Sequence, residues 1–414
     1  MPAGNLEKLK YAFNYGADAV YAGVPDFSLR MRVNDFDFET LEEGIKIAHN
    51  LGKKIYITIN IFAHNDKINI LDKHIDFLKK NKPDAIVFSD PGIFEILKSK
   101  LKNIDFHLST QMNVTNWRAA KFWYDLGVKR IILARELSIN EIAEIHKKVP
   151  HLELEAFVHG AMCMAYSGRC MLSMFLSNRD ANQGDCVQSC RWKYKVYKNV
   201  KKSKKYKSLK DDYQLEEDLR KGEFMPIEED KNGTYIFSSR DLCMIEHLKD
   251  IWDAGVCSFK VEGRSKTENY VAHISRAYRK AIDDMVKGDK FDKKLLDDIN
   301  ATWHRGFFTG FYYGPPDKNC HQLEGKTSIS MYDFIGIVKN YDKEKKLAEI
   351  EVRNRIEKNQ NIEFVLPDIT IKQKLDEMYD LYDIPIELAH GGDKNILISV
   401  KEKVEVGTII RRLR

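Results

Sequence analysis

Residues 130–160 read "RIILARELSINEIAEIHKKVPHLELEAFVHG" and contain a complete strand–helix–strand unit. The runs at 130–136 and 152–160 are short, apolar and rich in β-branched residues, which is typical of buried strands. Between them, Ser138 and Glu141 form a capping box, and isoleucines follow at a spacing of three. Two strands joined by a helix of this length predict a parallel β-sheet.

The same alternation of apolar runs and amphipathic segments continues along the chain in both directions. One further helix is predicted from Ser265 to Met285, with Ser265 and Glu268 as its capping box. This alternation predicts an α/β fold, either a TIM-like parallel β/α barrel, which we favour, or an open doubly wound sheet. No Gly-x-Gly-x-x-Gly or Walker motif follows a strand, which argues against a nucleotide-binding sheet. The other predicted strands are 19–24, 54–60, 85–90, 106–111, 234–242 and 258–264.

The pattern changes after about residue 325. Residues 325–414 alternate apolar and polar positions between short turns, as antiparallel strands with one buried face do. We therefore predict a TIM-like barrel domain over 1–324 and a small all-β domain over 325–414. The second domain is similar to translation-factor-like β-barrels at the level of the fold.

The composition is that of an ordinary globular protein, 43% hydrophobic and 31% charged. Lys and Arg exceed Asp and Glu by 67 − 62 = 5, an excess too small to indicate nucleic-acid binding by itself. The sequence has no apolar run long enough to span a membrane and no signal-peptide pattern, so we expect a cytoplasmic protein without membrane contact. In the cytoplasm, clustered cysteines bind metals or do chemistry more often than they form disulfides.

Arginines stand at or near the carboxyl ends of several predicted strands, where parallel barrels place their active sites. Arg30 and Arg32 follow the first visible strand, and Arg135 and Arg264 lie at the ends of two later strands. Guanidinium groups pair with carboxylates in a bidentate manner. These arginines therefore predict a site for a small anionic molecule, and ion pairs that tie loops together are the alternative.

A charged insertion is predicted over about 191–232. Its first part, 191–210, carries ten Lys or Arg residues with four interleaved aromatic residues. Cations that pair with phosphates and rings that stack on bases are the chemistry of single-stranded RNA recognition. Residues 211–230 carry nine acids and two bases, so a surface hairpin of complementary charge without a partner is the alternative.

Four of the seven cysteines lie close together in the sequence: Cys163, Cys170, Cys186 and Cys190. Their spacings, Cys-x₆-Cys and Cys-x₃-Cys, suit an iron–sulfur cluster better than the short knuckles of zinc sites. Zinc binding, thiol chemistry and chance remain open on spacing alone. Of the other cysteines, Cys243 is the reserve ligand and Cys257 is expected to pack in the core.

The motif "EAFVHGAMCMAYSGRCMLS", Glu155 to Ser173, resembles the signature of the collagenase-like peptidase family U-32. The segments "PAGN" (2–5), "GADAVYAG" (16–23), "RDANQGDCVQSCRW" (179–192) and "KVEGRSK" (260–266) agree with that family in the same order. The resemblance spans the chain and is strongest for the branch of bacterial proteins that hydroxylate tRNA. It implies a TIM-like barrel followed by a small β-domain.

The resemblance also implies a chemistry. It places a 4Fe-4S cluster on the four clustered cysteines and implies oxygen-independent, prephenate-dependent hydroxylation of tRNA, in which the wobble uridine of the anticodon region becomes 5-hydroxyuridine. Prephenate carries two carboxylates, which suits the arginines, above all Arg264 and Arg30. Glu262, or His159 beside the first cysteine, is then a candidate to move protons.

Two other functions remain open. The family name indicates a peptidase, but the sequence shows no Gly-x-Ser-x-Gly, no His-Glu-x-x-His and no evident triad. A non-catalytic, RNA-binding iron–sulfur accessory protein is the third hypothesis.

The resemblance also predicts a departure at the start of the barrel. Family members usually have apolar residues before "PAGN", so the first barrel strand is expected to be largely missing here. With that strand counted, the predicted strands exceed eight, and the run 234–242 is expected to lie outside the closed barrel.

Overall fold

Parallel strands that alternate with helices build the N-terminal domain. The computed structural model describes residues 1–29, 34–163, 166–177, 179–183, 185–191, 197–198, 207–208, 213–216, 224–230, 233–235, 239–315, 320 and 329–414. The first seven strands pair in parallel, each with the next along the chain: β1 (Pro2–Ala3), β2 (Ala19–Gly23), β3 (Lys54–Ile59), β4 (Ala85–Phe88), β5 (Asp105–Leu108), β6 (Arg130–Ile132) and β7 (Glu153–Ala161).

The remaining strands of the N-terminal domain belong to three sheets. Five short strands form two small antiparallel sheets: β8 (Tyr197–Lys198), β9 (Lys207–Ser208), β10 (Tyr213–Glu216), β11 (Phe224–Asp230) and β12 (Gly233–Tyr235). Three more strands join the large sheet: β13 (Asp241–Cys243), β14 (Val256–Val261) and β15 (Phe307–Phe308). Because β14 pairs in parallel with β7, it is the eighth parallel strand of the barrel sheet.

Helices cover the sheet because their apolar faces need a partner. The capping box of Ser138 and Glu141 is present, and Ile142 and Ile145 are buried. The helix predicted from Ser265 begins later, because Thr267 accepts the capping hydrogen bond from the backbone of Tyr270. None of the helices in the described ranges has the length and apolarity needed to cross a bilayer. The helices are α1 (Leu6–Asn14), α2 (Phe38–Asn50), α3 (Asn65–Ile68), α4 (Leu71–Asn81), α5 (Pro91–Lys100), α6 (Trp117–Asp125), α7 (Ile139–Lys148), α8 (Leu172–Ser177), α9 (Leu248–Asp253), α10 (Glu268–Lys287) and α11 (Leu295–Asn300).

The barrel sheet begins with a very short strand and includes part of the run 234–242. The first strand, β1, is two residues long and pairs with Tyr21 and Ala22 of β2. The run 234–242 is divided: β12 lies in a small antiparallel sheet, whereas β13 joins the barrel sheet antiparallel to β7.

Antiparallel strands form the C-terminal domain and enclose a second apolar core. Seven of them form one sheet in the order β20-β19-β24-β16-β17-β23-β21, and β18 pairs with β22. The predicted fold class, an α/β barrel-like domain followed by an all-β domain, is therefore confirmed. The strands are β16 (Tyr332–Asp342), β17 (Leu347–Val352), β18 (Ile356–Glu357), β19 (Asn361–Val365), β20 (Thr370–Lys374), β21 (Met378–Tyr379), β22 (Leu388–Ala389), β23 (Ile396–Ser399) and β24 (Ile409–Leu413).

The two domains share an interface with apolar and ionic parts. Ile337, Val365 and Ile409 of the β-domain belong to the same apolar core as the barrel. The Tyr15 hydroxyl, just after α1, donates to the Val365 carbonyl oxygen at 2.8 Å. Beside it, the carboxylate of Asp298 on α11 accepts hydrogen bonds from arginines of α10 and β24.

Candidate functional site

A cavity of about 480 Å³ lies at the carboxyl ends of the barrel strands. We call it the mouth cavity. Residues from β2, β3, β4, β6, β7 and β14 contribute to its wall, together with the turn after β5 and the segment that contains the clustered cysteines. Its polar and charged lining side chains include Asn60, Ser109, Gln111, Arg135, Arg169, Lys260, Glu262 and Arg264. This is the position at which parallel β/α barrels carry their active sites.

All four clustered cysteines line the mouth cavity. The Asn182 side chain holds the backbone of Cys170 from both sides: its Oδ1 accepts from the Cys170 amide and its Nδ2 donates to the Cys170 carbonyl, each at 3.2 Å. The sulfur of Cys186 accepts a hydrogen bond from the Gln188 amide at 3.4 Å. The chain therefore brings to one cavity four thiols that are up to twenty-seven positions apart in sequence.

The thiols are placed for ligation, but they are not gathered into a finished metal site. All seven cysteines lie among the described residues, and none of them forms a disulfide. Within the described part of the chain, no three His, Cys, Asp or Glu side chains are close enough to hold a metal ion. Four thiols around one cavity are the donor set of a cluster or of zinc, and ligation would require them to converge further.

The loop between Cys163 and Cys170 is anchored to the segment between β6 and α7. The Ser167 amide donates to Oε1 of Glu136 at 2.6 Å, and the Ser167 hydroxyl donates to the other carboxylate oxygen. Ser167 has φ +33°, a left-handed value that non-glycine residues seldom adopt. Glu136 thus holds a strained turn directly beside two of the cavity cysteines.

Arg264 is 5% exposed and belongs to a buried polar cluster at the mouth cavity. Its Nη1 donates to the hydroxyls of Ser28 and Thr58, and the Ser28 and Thr58 oxygens are 2.7 Å apart. The guanidinium packs over Gly23, where an added Cβ would lie 2.8 Å from Nη1. A side chain at position 23 would therefore displace Arg264.

Arg135 and Arg169 add two further cations to the mouth cavity. The Arg135 guanidinium lies 4.1 Å from the ring centroid of Phe157 and donates to the Ala161 carbonyl oxygen at 3.4 Å. Nε of Arg169 donates to the Gln111 carbonyl oxygen at 3.4 Å. Glu262 also lines this cavity, so the described part of the lining combines several cations with one carboxylate.

The residues predicted for the site divide into three groups. Seven of them line the mouth cavity: Arg135, Glu262, Arg264, Cys163, Cys170, Cys186 and Cys190. Arg30 and Arg32 lie outside the described residues, as does most of the charged insertion, so both remain predictions. His159 is described and buried, but it is not among the residues that line the cavity.

His159 is packed in an aromatic cluster. Its ring centroid lies 5.5 Å from that of Tyr278 and 5.6 Å from that of Phe307, and the Tyr278 hydroxyl is 3.3 Å from Nδ1. Burial lowers the pKa of the His159 imidazole to about 3. The ring is neutral at physiological pH and is not part of the cavity lining, and neither fact favours the proton-transfer role predicted from its sequence position.

The His159→Phe variant tests this packing role. Because the folded-state pKa lies below the ordinary value, the unfolded chain takes up a proton as the pH falls below about 6.5, and the folded protein loses stability. His159 should therefore account for about 2 kcal/mol of the decrease in the free energy of unfolding between pH 8 and pH 5. Urea unfolding of both proteins at these two pH values measures the difference, and equal acid sensitivity would contradict the packed, neutral state of the ring.

The other isolated cysteines lie apart from the four in the cavity. Burial raises the pKa of the Cys243 thiol to about 11, and its sulfur is 3.9 Å from the Tyr278 hydroxyl. Cys257, expected in the core, is exposed instead, and its thiol donates to the Leu154 carbonyl oxygen. Neither residue lines the mouth cavity.

Sequence reasoning missed Lys260 and Arg169. Lys260 lies within β14, inside the predicted strand 258–264, and it lines the mouth cavity. A lysine inside an otherwise apolar strand is the signal that could have identified it, because a buried ammonium needs a partner. Arg169 stands one position before the second clustered cysteine, inside the motif itself.

Comparison with known proteins places this site in a family. The tRNA hydroxylation protein P of Haemophilus influenzae is 40% identical over 98% of this chain and 93% of its own length. The 23S rRNA 5-hydroxycytidine C2501 synthase of Escherichia coli is 33% identical over 74% of this chain and 43% of its own length. A protein named collagenase from Porphyromonas gingivalis is 31% identical over 97% of this chain and 94% of its own length.

Models of protein families cover both domains. Residues 4–322 match the model described as Peptidase family U32, and residues 330–411 match that of the Peptidase family U32 C-terminal domain. The first match begins directly after β1 and contains the cavity cysteines and β15, and the second covers the antiparallel sheet up to Arg411. The chain therefore belongs to peptidase family U32.

Proposed function

We propose that this protein is an RNA-hydroxylating enzyme that converts the wobble uridine of tRNA to 5-hydroxyuridine. The observation that carries the proposal is the shared cavity, in which four thiols face a set of cations at the carboxyl end of a parallel barrel. Two relatives whose names state RNA hydroxylation, one on tRNA and one on rRNA, support this class of reaction. The reaction would take place in the cytoplasm, where tRNA is found.

The proposed cofactor is a 4Fe-4S cluster held by Cys163, Cys170, Cys186 and Cys190. When bound, such a cluster supplies electron transfer. The protein's contribution is positional: Asn182 holds the backbone of Cys170, and Glu136 holds the turn at Ser167. Four thiols line one cavity, and we prefer this cofactor to zinc because the Cys-x₆-Cys and Cys-x₃-Cys spacings differ from the short knuckles of zinc sites.

The proposed co-substrate is prephenate, and the reaction is proposed to proceed without molecular oxygen. A small dianion suits a cavity whose charged lining is mainly cationic. Arg264, fixed by two hydroxyls, and Arg135, fixed against an aromatic ring, are oriented before any ligand arrives. Preorganised cations of this kind bind carboxylates with little loss of side-chain entropy. Glu262 is the carboxylate in the same lining that could exchange a proton with a ligand.

A peptidase function has less support from the site. The described lining of the mouth cavity contains serine and cysteine but no histidine, so the nucleophile–base pair of a serine or cysteine peptidase is not seen there. The relative named collagenase makes gelatin cleavage a necessary control.

Two experiments test the proposal. The full-length protein, purified without oxygen, should be brown and carry about four iron atoms per chain. Expressed in a bacterial strain that lacks its own tRNA-hydroxylating genes, it should restore 5-hydroxyuridine in tRNA, as measured by mass spectrometry of nucleosides, and the nucleoside should disappear when the strain cannot make prephenate. A colourless, metal-free protein that cleaves gelatin would contradict the proposal. A brown protein that restores no hydroxyuridine would favour the accessory function instead.

A further inference from the structure

Lys260 is a buried cation on the wall of the mouth cavity. It is 8% exposed, and its ammonium lies 4.0 Å from the ring centroid of Tyr21 and 5.9 Å from that of Phe157. All three residues line the cavity, so the two rings bound the space around the ammonium group. A cation held against aromatic faces is stabilised without losing its charge.

Glu155 holds this ammonium in place. Its Oε1 lies 2.6 Å from the Lys260 Nζ, and its Oε2 accepts from Ser258 at 2.9 Å and from Arg130 at 3.2 Å. Burial raises the pKa of the Glu155 carboxyl, but Lys260 and Arg130 outweigh burial and lower it to about 2. Glu155 is therefore a carboxylate with fixed partners, and it anchors Lys260 from the side of a second cavity, of about 380 Å³, which Lys260 and Arg130 also line.

The Lys260 ammonium has more donors than this pairing uses. An ammonium group carries three N–H donors, and among the described residues Glu155 supplies its one hydrogen-bond acceptor. A buried ammonium gains free energy from each additional acceptor, because its charge has been removed from water. Its position on the cavity wall makes a ligand oxygen the available acceptor.

We propose that Lys260 binds a carboxylate oxygen of a small anionic ligand in the mouth cavity and that Glu155 is the residue that positions it. This inference rests on the proposed function for the identity of the ligand and adds the residues that recognise it. Lys260 and Arg264 then contact the same ligand, and the two cations explain selection of a molecule with more than one carboxylate.

The test is titration calorimetry of the full-length, anaerobically purified protein with prephenate as one probe and malonate as the other. Lys260→Met alone would leave the Glu155 carboxylate buried beside a single remaining cation, so the double variant Lys260→Met/Glu155→Gln is the informative one. We expect it to fold and to bind either probe about 10- to 100-fold more weakly, the usual effect of losing a hydrogen bond to a charged group. Lys249→Met, which removes an exposed lysine of α9, is the matched control and should bind normally.

The positioning role of Glu155 has its own measurement. Burial lowers the pKa of Lys260, and without the Glu155 charge this pKa should fall further. As the pH is raised, Glu155→Gln should therefore lose its affinity for malonate at a lower pH than the unsubstituted protein does. An unshifted profile would overturn the positioning role. The ionisable groups that face Lys260 are Glu155, Arg130, Arg264, Tyr21, His107 and the α-amino group of Met1.

The outcomes separate this inference from the proposed function. Equal affinity of the folded double variant and the unsubstituted protein for prephenate would overturn the role of Lys260 and leave the hydroxylase proposal standing. Lys260-dependent binding of malonate without binding of prephenate would support the role of Lys260 and reject the co-substrate. Binding of neither probe to the unsubstituted protein would overturn the inference.

Discussion

Cys170→Ser should lose its bound iron, its visible absorption and its ability to hydroxylate tRNA. The backbone of Cys170 is held by two hydrogen bonds with the Asn182 side chain. A serine hydroxyl keeps the size of the side chain but is a far poorer ligand for iron than a thiolate. We expect hydroxylation to fall by more than about 100-fold, since losing even a supporting contact to a metal ligand costs about 10- to 100-fold.

Cys257→Ser is the matched control for this prediction. Its thiol is exposed, lies outside the mouth cavity and donates to a carbonyl oxygen, which a hydroxyl can also do. Iron analysis, the visible spectrum and mass spectrometry of tRNA nucleosides should therefore match those of the unsubstituted protein. Iron content that stays unchanged in Cys170→Ser, or that falls equally in Cys257→Ser, would rule out the assigned ligand set.

Asp298→Ala should destabilise the protein more than any surface substitution. The Asp298 carboxylate, on α11, accepts from Nη1 of Arg276 at 3.0 Å and from Nη1 of Arg411 at 2.9 Å. The Arg411 side chain is 5% exposed, and its remaining carboxylate partner is Glu363, at 2.8 Å. Removing one partner of a buried ionic network leaves uncompensated charge, and we expect a loss of about 3–5 kcal/mol in the free energy of unfolding.

The adjacent residue provides the control. Asp297 is exposed, and Asp297→Ala should change the free energy of unfolding by no more than about 0.5 kcal/mol. Urea unfolding of both variants measures the difference, with limited proteolysis to show whether the β-domain separates from the barrel. Equal stability of the two variants would mean that the Asp298 network does not hold the domains together.

Local sequence signals predicted the elements of the barrel well. The unit at 130–160 forms β6, α7 and β7, and its predicted capping box is present. Such signals are local, because a cap and a spacing of apolar residues act within one turn or one strand. The start of α10 shows the limit of these signals. The sequence predicts Ser265 as the cap, but Thr267, two residues later, caps the helix.

The position of His159 shows a different limit. Residues alternate between the two faces of a strand, and Phe157 lines the mouth cavity, so regular alternation would direct His159 inward as well. The pairing of β7 with β14 has an irregularity here, because Lys260 opposes Phe157 while the next residue, Val261, opposes His159. This extra residue, Val158, interrupts the alternation, and His159 packs against tyrosines of α10.

The sequence by itself determined the fold class, the family and which four cysteines belong together. Each of these depends on local patterns or on one long motif. Only the tertiary structure decided which charged groups share the cavity with those thiols. Lys260 and Glu155 are 105 positions apart, and Arg264 and Ser28 are 236 positions apart. Contacts between such distant positions depend on strand order and register, which no spacing within the chain reveals.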